Sequence, residues 1–198
     1  MRATALAWLL LVSSCAAMPP VQDKTWYWLE ASPPEAYTLQ FRDSRAAIRA
    51  DCNRGTGGAT LEGDHVVFGP MAMTRAFCPP LSRGDEYARQ LRSAARLSLH
   101  GDVLRLELQD GGAMFFATDP KARMAHYRCR EEAMLSVIYE GDGAQVWFDG
   151  RHYALGRERS ASGARYGDGT VTFDTKGVLG TLRRGDAALA QDCQVPSR

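Results

Sequence analysis

The chain has no excess of charge, no second long apolar run, no CxxC pair and no clustered histidines. Each absence removes a class of function. Lysine and arginine total 24 against 23 aspartates and glutamates, a formal net charge of +1 over 198 residues. General nucleic-acid binding needs a basic footprint, and this composition does not supply one. Beyond the first twenty residues, no stretch stays apolar for the ~20 residues a membrane-spanning helix requires. His65, His100, His126 and His152 are scattered along the chain. The cysteines never take the paired spacing of a zinc site. Neither a metal nor another cofactor is therefore expected. No nucleophile elbow or oxyanion-hole signature occurs, so the chain reads as a non-enzyme without a small-molecule substrate. What remains is a 45% hydrophobic composition, normal for a packed globule.

The first twenty residues are informative. Met1-Arg2 gives a positive start, and Ala3 to Val12 is an apolar run too short to span a bilayer. It has the length of a signal-peptide core. Val12-Ser13-Ser14-Cys15 follows, and it resembles a bacterial lipobox. The resemblance implies a signal peptide over residues 1–14, cleavage before Cys15, and lipid (palmitate among its acyl chains) on that cysteine. Several acyl chains on one residue hold a protein on a membrane where one chain binds only marginally. Ala16 stands where an inner-membrane retention signal would put aspartate, which implies the outer membrane, facing the periplasm. Residues 15–24 read as a lipidated tether. Loss of residues 1–14 would remove one arginine and balance the charges.

With Cys15 set aside, Cys52, Cys78, Cys129 and Cys193 remain. Export to an oxidising compartment makes disulfides their expected state. Four cysteines allow three pairings, among which sequence does not choose. If the chain divides near residue 120, the local pairing is Cys52–Cys78 and Cys129–Cys193. Chain entropy then gives roughly 3.5 and 4.3 kcal/mol for the two loops.

The division itself comes from Thr118-Asp119-Pro120-Lys121-Ala122, where proline interrupts the apolar pattern. Residues 25–118 form one predicted domain, 119–125 a linker and 126–198 a second domain. The first mixes strands at 37–41, 46–50, 65–68, 103–108 and 113–116 with a helix over Ser82 to Leu97. Tyr87, Leu91 and Ala94 or Ala95 recur at helical spacing there. The second is almost all strand. Asp142-Gly143, Asp149-Gly150 and Asp168-Gly169 punctuate it, and Asp-Gly suits hairpin turns. Strands are expected at 135–139, 144–148, 171–173 and 178–182. The predicted fold is mainly β, a small α+β domain followed by a small antiparallel barrel.

Trp26-Tyr27-Trp28-Leu29, then Cys52-Asn53-Arg54-Gly55, then Thr74-Arg75-Ala76-Phe77-Cys78, followed by a helix and a hairpin, resemble the META (HslJ-type) domain. The resemblance covers about Thr25 to Thr118 and implies a compact envelope domain. Asn53, Arg54, Thr74 and Arg75 are expected mainly to organise turns around a disulfide, since Asn and Thr side chains often bond nearby backbone.

In the second half stand Tyr127-Arg128-Cys129, Ser162-Gly163-Ala164-Arg165-Tyr166, Lys176-Gly177 and the late Cys193. This layout resembles the membrane-bound inhibitor of c-type lysozyme family over roughly His126 to Cys193. The resemblance implies that Ser162 and Lys176 enter the active-site cleft of lysozyme, with Gly163, Tyr166 and Gly177 shaping the presenting loops. One departure is Gly180, where the family usually has alanine, a change expected to loosen the strand. Residues 121–198 carry a slight basic excess, so an acidic face towards a basic lysozyme would have to come from folding, with Asp168 and Asp174 as candidates. The implied partner is c-type lysozyme. The competing expectation is a structural or stress-response envelope lipoprotein that acts through its META domain.

Overall fold

Short segments that alternate buried and exposed residues close the chain into two barrels. The structure is a computed structural model, and it describes residues 20–196. The expected signal peptide and lipobox, with Cys15, lie outside the described residues.

The first barrel contains β1 (Trp26–Trp28), β2 (Tyr37–Arg42), β3 (Arg45–Ala50), β4 (Asn53–Glu62), β5 (His65–Met73), α1 (Gly84–Arg92), β6 (Ala94–His100), β7 (Val103–Leu108) and β8 (Ala113–Ala117). Each strand pairs with its sequence neighbour, and β8 closes on β1. Period-two burial drives this closure: β2 turns Tyr37, Leu39 and Phe41 inward, and β3 turns Ala46, Ile48 and Ala50 inward. Small closed barrels fill their interiors with side chains. Here Trp26, Trp28, Phe41, Phe116 and Met114 do so. Val21 is already fully buried, and its carbonyl accepts the Trp26 indole N–H at 3.0 Å.

The expected α+β character is corrected to an eight-stranded closed barrel carrying one α-helix. The helix expected over Ser82 to Leu97 ends at Arg92. Its apolar stripe is real, since Tyr87, Ala88 and Leu91 are buried. Beyond Ser93, however, Ala94 and Leu97 pair with Leu108 and Leu106 in a strand ladder. Helical spacing and strand alternation overlap over those residues, and the ladder satisfies backbone groups that a longer helix would leave away from the sheet. The helix start is tied to β2, because Arg83 donates its backbone N–H to the Tyr37 hydroxyl at 2.8 Å.

The second barrel comprises β9 (Arg123–Arg128), β10 (Met134–Glu140), β11 (Gly143–Phe148), β12 (Arg151–Glu158), β13 (Ala164–Gly167), β14 (Val171–Lys176), β15 (Leu179–Arg184) and β16 (Ala187–Gln194). It too is closed, with β16 returning to β9. Asp149 and Gly150 both take positive φ, 50° and 68°, as a two-residue hairpin turn requires. Leu135, Val137, Val146, Phe173 and Leu182 fill the interior. The disulfides are Cys52–Cys78 and Cys129–Cys193, one per barrel. The second joins the end of β9 to β16, at the closing seam.

The barrels meet through Leu29, Val103, Phe115 and Ala117 of the first and Ala122 and Ile138 of the second. Trp147 packs edge-on against Phe115 with ring centres 5.0 Å apart. His100 stacks on His152 at 3.8 Å. Burial depresses both imidazoles, His152 to about 4 with help from the neighbouring ring.

Candidate functional site

Strands β13 and β14 form a short antiparallel pair whose register is fixed from both ends. At the far end, the Asp168 carboxylate accepts the backbone N–H groups of Thr170 and Val171 at 2.8 and 2.7 Å. These bonds, that to Val171 most, hold its pKa below the usual carboxylate range. Midway, Arg165 grips Asp174 across the strands with contacts of 2.7 and 3.2 Å. This register sets Ala164 opposite Thr175. The preceding residue, Gly163, therefore lies against the backbone of Thr175 and the stem of Lys176. It has φ +77°, and a side chain there would overlap the Thr175 carbonyl oxygen.

Ser162 and Lys176, fourteen positions apart in sequence, thus stand on two adjoining connections at one end of the barrel. Both are exposed. The serine loop is closed by the Ser160 hydroxyl, which donates to the Ser162 carbonyl at 2.8 Å. The lysine turn is held from its other side, where Val195 donates its backbone N–H to the Val178 carbonyl at 2.9 Å. Gly177 has φ +61° and open space around it.

Tyr166 does not project from this end. It is 7% exposed and packs into the barrel interior. Its ring lies 5.6 Å from that of Tyr139, and its hydroxyl accepts from Arg157 at 3.3 Å. Tyr139 in turn shares a hydrogen bond with Tyr127 at 2.9 Å, and Tyr127 reaches the Thr175 hydroxyl at 3.2 Å. Three tyrosines therefore form a floor under the residues that carry Ser162 and Lys176. Burial raises the Tyr139 hydroxyl pKa, so it stays protonated and able to donate. Sequence reasoning missed Tyr139, Thr175 and Arg157. Tyr139 offered one signal, an inward position in an alternating strand.

Gly180 fits where a larger side chain would not. A side chain there would come within 2.9 Å of the Phe173 ring and 3.0 Å of the Tyr127 ring. Those rings occupy the space that a methyl group would need, and the β15–β16 ladder shifts register between Gly180 and Leu182.

The proposed acidic face does not form from Asp168 and Asp174. Asp168 stays ionised but stands at the far end of the strand pair, bonded to its own turn, and Asp174 is paired with Arg165. What the end presents instead is Lys176, with no ion-pair partner among the described residues. Beside it are two exposed apolar side chains, Val178 at 58% and Leu179 at 49%.

In the first barrel, Asn53 and Thr74 organise the loop around Cys52–Cys78. The Asn53 side-chain oxygen Oδ1 accepts from the Thr74 hydroxyl at 2.9 Å and from the Ala76 N–H at 2.7 Å. Thr74 also accepts the Arg54 N–H at 3.0 Å. Among the described residues, no group of three His, Cys, Asp or Glu side chains converges as a metal site would require.

Residues 19–121 match the family described as META domain. The chain belongs to the META domain family. After that domain, residues 127–191 match the membrane-bound lysozyme-inhibitor of c-type lysozyme family, so the chain carries a META domain followed by an MliC domain. A relative from Yersinia enterocolitica serotype O:8 / biotype 1B (strain NCTC 13174 / 8081), the membrane-bound lysozyme inhibitor of C-type lysozyme, is 32% identical over 78 residues. The match covers 38% of this chain and 66% of that relative, just under two thirds of its length. A solved structure, the NMR structure of the protein from Burkholderia xenovorans, is 21% identical. It covers 49% of this chain and 82% of its own, with a TM-score of 0.42, a likeness too slight to argue from.

Proposed function

We propose that the MliC domain inhibits c-type lysozyme by inserting Ser162 and Lys176 into its active-site cleft, and that the chain is an outer-membrane lipoprotein anchored through Cys15 and facing the periplasm. The observation that carries the inhibitory mechanism is the adjacency of the serine loop and the lysine turn, locked by the fit of Gly163 against Thr175 and Lys176. A retaining glycosidase of this kind places two carboxyl groups ~5 Å apart. One is a raised-pKa acid, and the other stays ionised. An ammonium on a flexible stem can sit between such oxygens as a point charge. A serine hydroxyl can donate to one carboxylate while accepting from elsewhere. Tyr166 and its neighbours brace the loop from below, and Val178 and Leu179 give the turn an apolar flank against the cleft wall. On this reading the protein is an inhibitor and carries out no chemistry of its own.

The test is titration of the chain from Pro20 onward into c-type lysozyme acting on cell-wall substrate. Removing one partner of a buried charge pair typically costs ~2–5 kcal/mol. Lys176→Ala should therefore weaken inhibition by roughly 30-fold to several thousand-fold. Unchanged inhibition by that variant overturns the mechanism.

A further inference from the structure

The connection between β5 and α1 has no regular secondary structure, yet it is held firmly. Cys52–Cys78 ties it to the start of β4. Asn53 clamps it from both sides, accepting from Thr74 and Ala76 and donating to the Ala76 carbonyl at 3.2 Å. Anchoring of this kind commonly seats an apolar side chain in a core. Here the large apolar side chains point away from any core. Phe77 is 98% exposed and Leu81 94%, the highest values among the large apolar residues described. Single exposed apolar residues are ordinary, but two so fully exposed within five residues of a stapled loop call for a partner.

Cations stand beside Phe77. Arg75 on the loop and Arg89 and Arg92 on α1 line one open cleft of about 780 Å³ with Phe77. None of the three arginines has an ion-pair partner among the described residues. Asp85 is the single acidic side chain lining the cleft. Guanidinium groups bind phosphate oxygens in pairs of parallel hydrogen bonds.

We propose that this end of the META barrel docks on an anionic lipid surface, with Phe77 and Leu81 entering the headgroup boundary and Arg75, Arg89 and Arg92 meeting lipid phosphates. The two halves of the patch select this occupant together. A free phosphate would satisfy the arginines and leave both apolar side chains in water. A neutral apolar partner would cover Phe77 and Leu81 but desolvate three unpaired cations. A bilayer rich in anionic lipid offers phosphates and an apolar layer at one surface, which meets both kinds of group on this loop. The proposal uses described residues alone and stands apart from both the lysozyme reading and the anchor at Cys15.

The experiment is co-sedimentation of the chain from Pro20 onward with vesicles. This chain holds every strand of both closed barrels and lacks the apolar run at residues 3–12. Mixed phosphatidylglycerol–phosphatidylcholine vesicles are compared with pure phosphatidylcholine. Binding to the mixed vesicles should fall about fivefold for each of Arg75→Gln and Arg89→Gln, the value of one surface cation. It should fall by more than about tenfold in the Phe77→Ser, Leu81→Ser double variant. All these side chains are exposed, so circular dichroism should be unchanged. The proposal is overturned by equal binding to both vesicle types, by indifference to the substitutions, or by no binding at all. Binding of polyglutamate without binding of vesicles would assign the patch to an acidic protein and overturn it too. Inorganic phosphate that abolishes vesicle binding at millimolar concentration would reduce the site to a local anion pocket, with the same consequence.

Discussion

Replacing Gly163 by alanine should pull the serine loop away from the lysine turn while leaving the barrel closed. Two costs add. At φ +77° an L-residue loses roughly 1–2 kcal/mol relative to glycine. The new methyl group would also overlap the Thr175 carbonyl oxygen, a backbone atom in the β13–β14 ladder. Relief requires the two strands to separate locally and give up one or two hydrogen bonds at about 1 kcal/mol each. The total is ~2–4 kcal/mol, within the usual 5–15 kcal/mol stability of a domain. Gly177→Ala is the matched comparison. Its φ is +61°, but nothing lies within 4 Å of the added group, so only the conformational cost of roughly 1–2 kcal/mol applies. Urea denaturation of both variants measures the difference, and titration against c-type lysozyme measures its consequence. Gly163→Ala should be the less stable protein and the poorer inhibitor. Equal destabilisation by the two substitutions, or full inhibition by Gly163→Ala, would refute the claim that close contact at this glycine holds the site together.

Gly180→Ala should destabilise the second barrel by ~1–3 kcal/mol through overpacking against Phe173 and Tyr127, read as a lower urea midpoint with unchanged slope. Glu30 gives a pH signature. Its whole-residue exposure is intermediate, but its carboxyl group is enclosed, and burial pushes its pKa up to about 7. The folded protein thus holds a proton that the unfolded chain releases near pH 4.5, so stability is present at low pH and lost as pH rises towards 7. Glu30→Gln should stabilise by ~1–3 kcal/mol at pH 8 and by almost nothing at pH 4, as measured by denaturant midpoints. His152 behaves oppositely. With its folded pKa depressed to about 4, the unfolded chain takes up the proton first, and stability falls as pH drops from 6.5 towards 4. His152→Gln should flatten that acid limb in a series of thermal melts.

Much of the second barrel was legible along the chain. The turns at Asp149-Gly150 and Asp168-Gly169 and the alternation of Leu135, Val137 and Tyr139, or of Val146 and Phe148, carry period and punctuation locally, whereas the turn expected at Asp142-Gly143 falls one residue earlier, at Gly141-Asp142, because Gly143 pairs with Glu140 in the ladder. Strands β1, β4, β9, β12, β13 and β16 were not among the expected ones. Of these, Asn53–Glu62 (β4) is rich in glycine and threonine and Ala187–Gln194 (β16) in alanine, so these two announce no buried face until neighbours supply one. The helix was found but overextended, because Ala94 and Leu97 fit both a helical stripe and a strand facing β7.

The candidate site divides the same way. Sequence carried the identity and spacing of Ser162, Gly163, Lys176 and Gly177, because a turn needs its own residues at fixed offsets. It carried the expectation of disulfides but left their pairing open, since which cysteines meet depends on how strands close in space. Three features were decided only by tertiary structure. Tyr166 became part of a floor, since its neighbours Tyr139 and Tyr127 arrive from distant strands. Asp168 was tied, still ionised, to the backbone of its own turn, and Asp174 was paired with Arg165, contacts set by strand register. Gly180 turned from an apparent defect into a packing requirement once two aromatic rings from other strands converged on it. Local propensity and spacing are properties of a segment, whereas burial, pairing and free charge are properties of what folds against it.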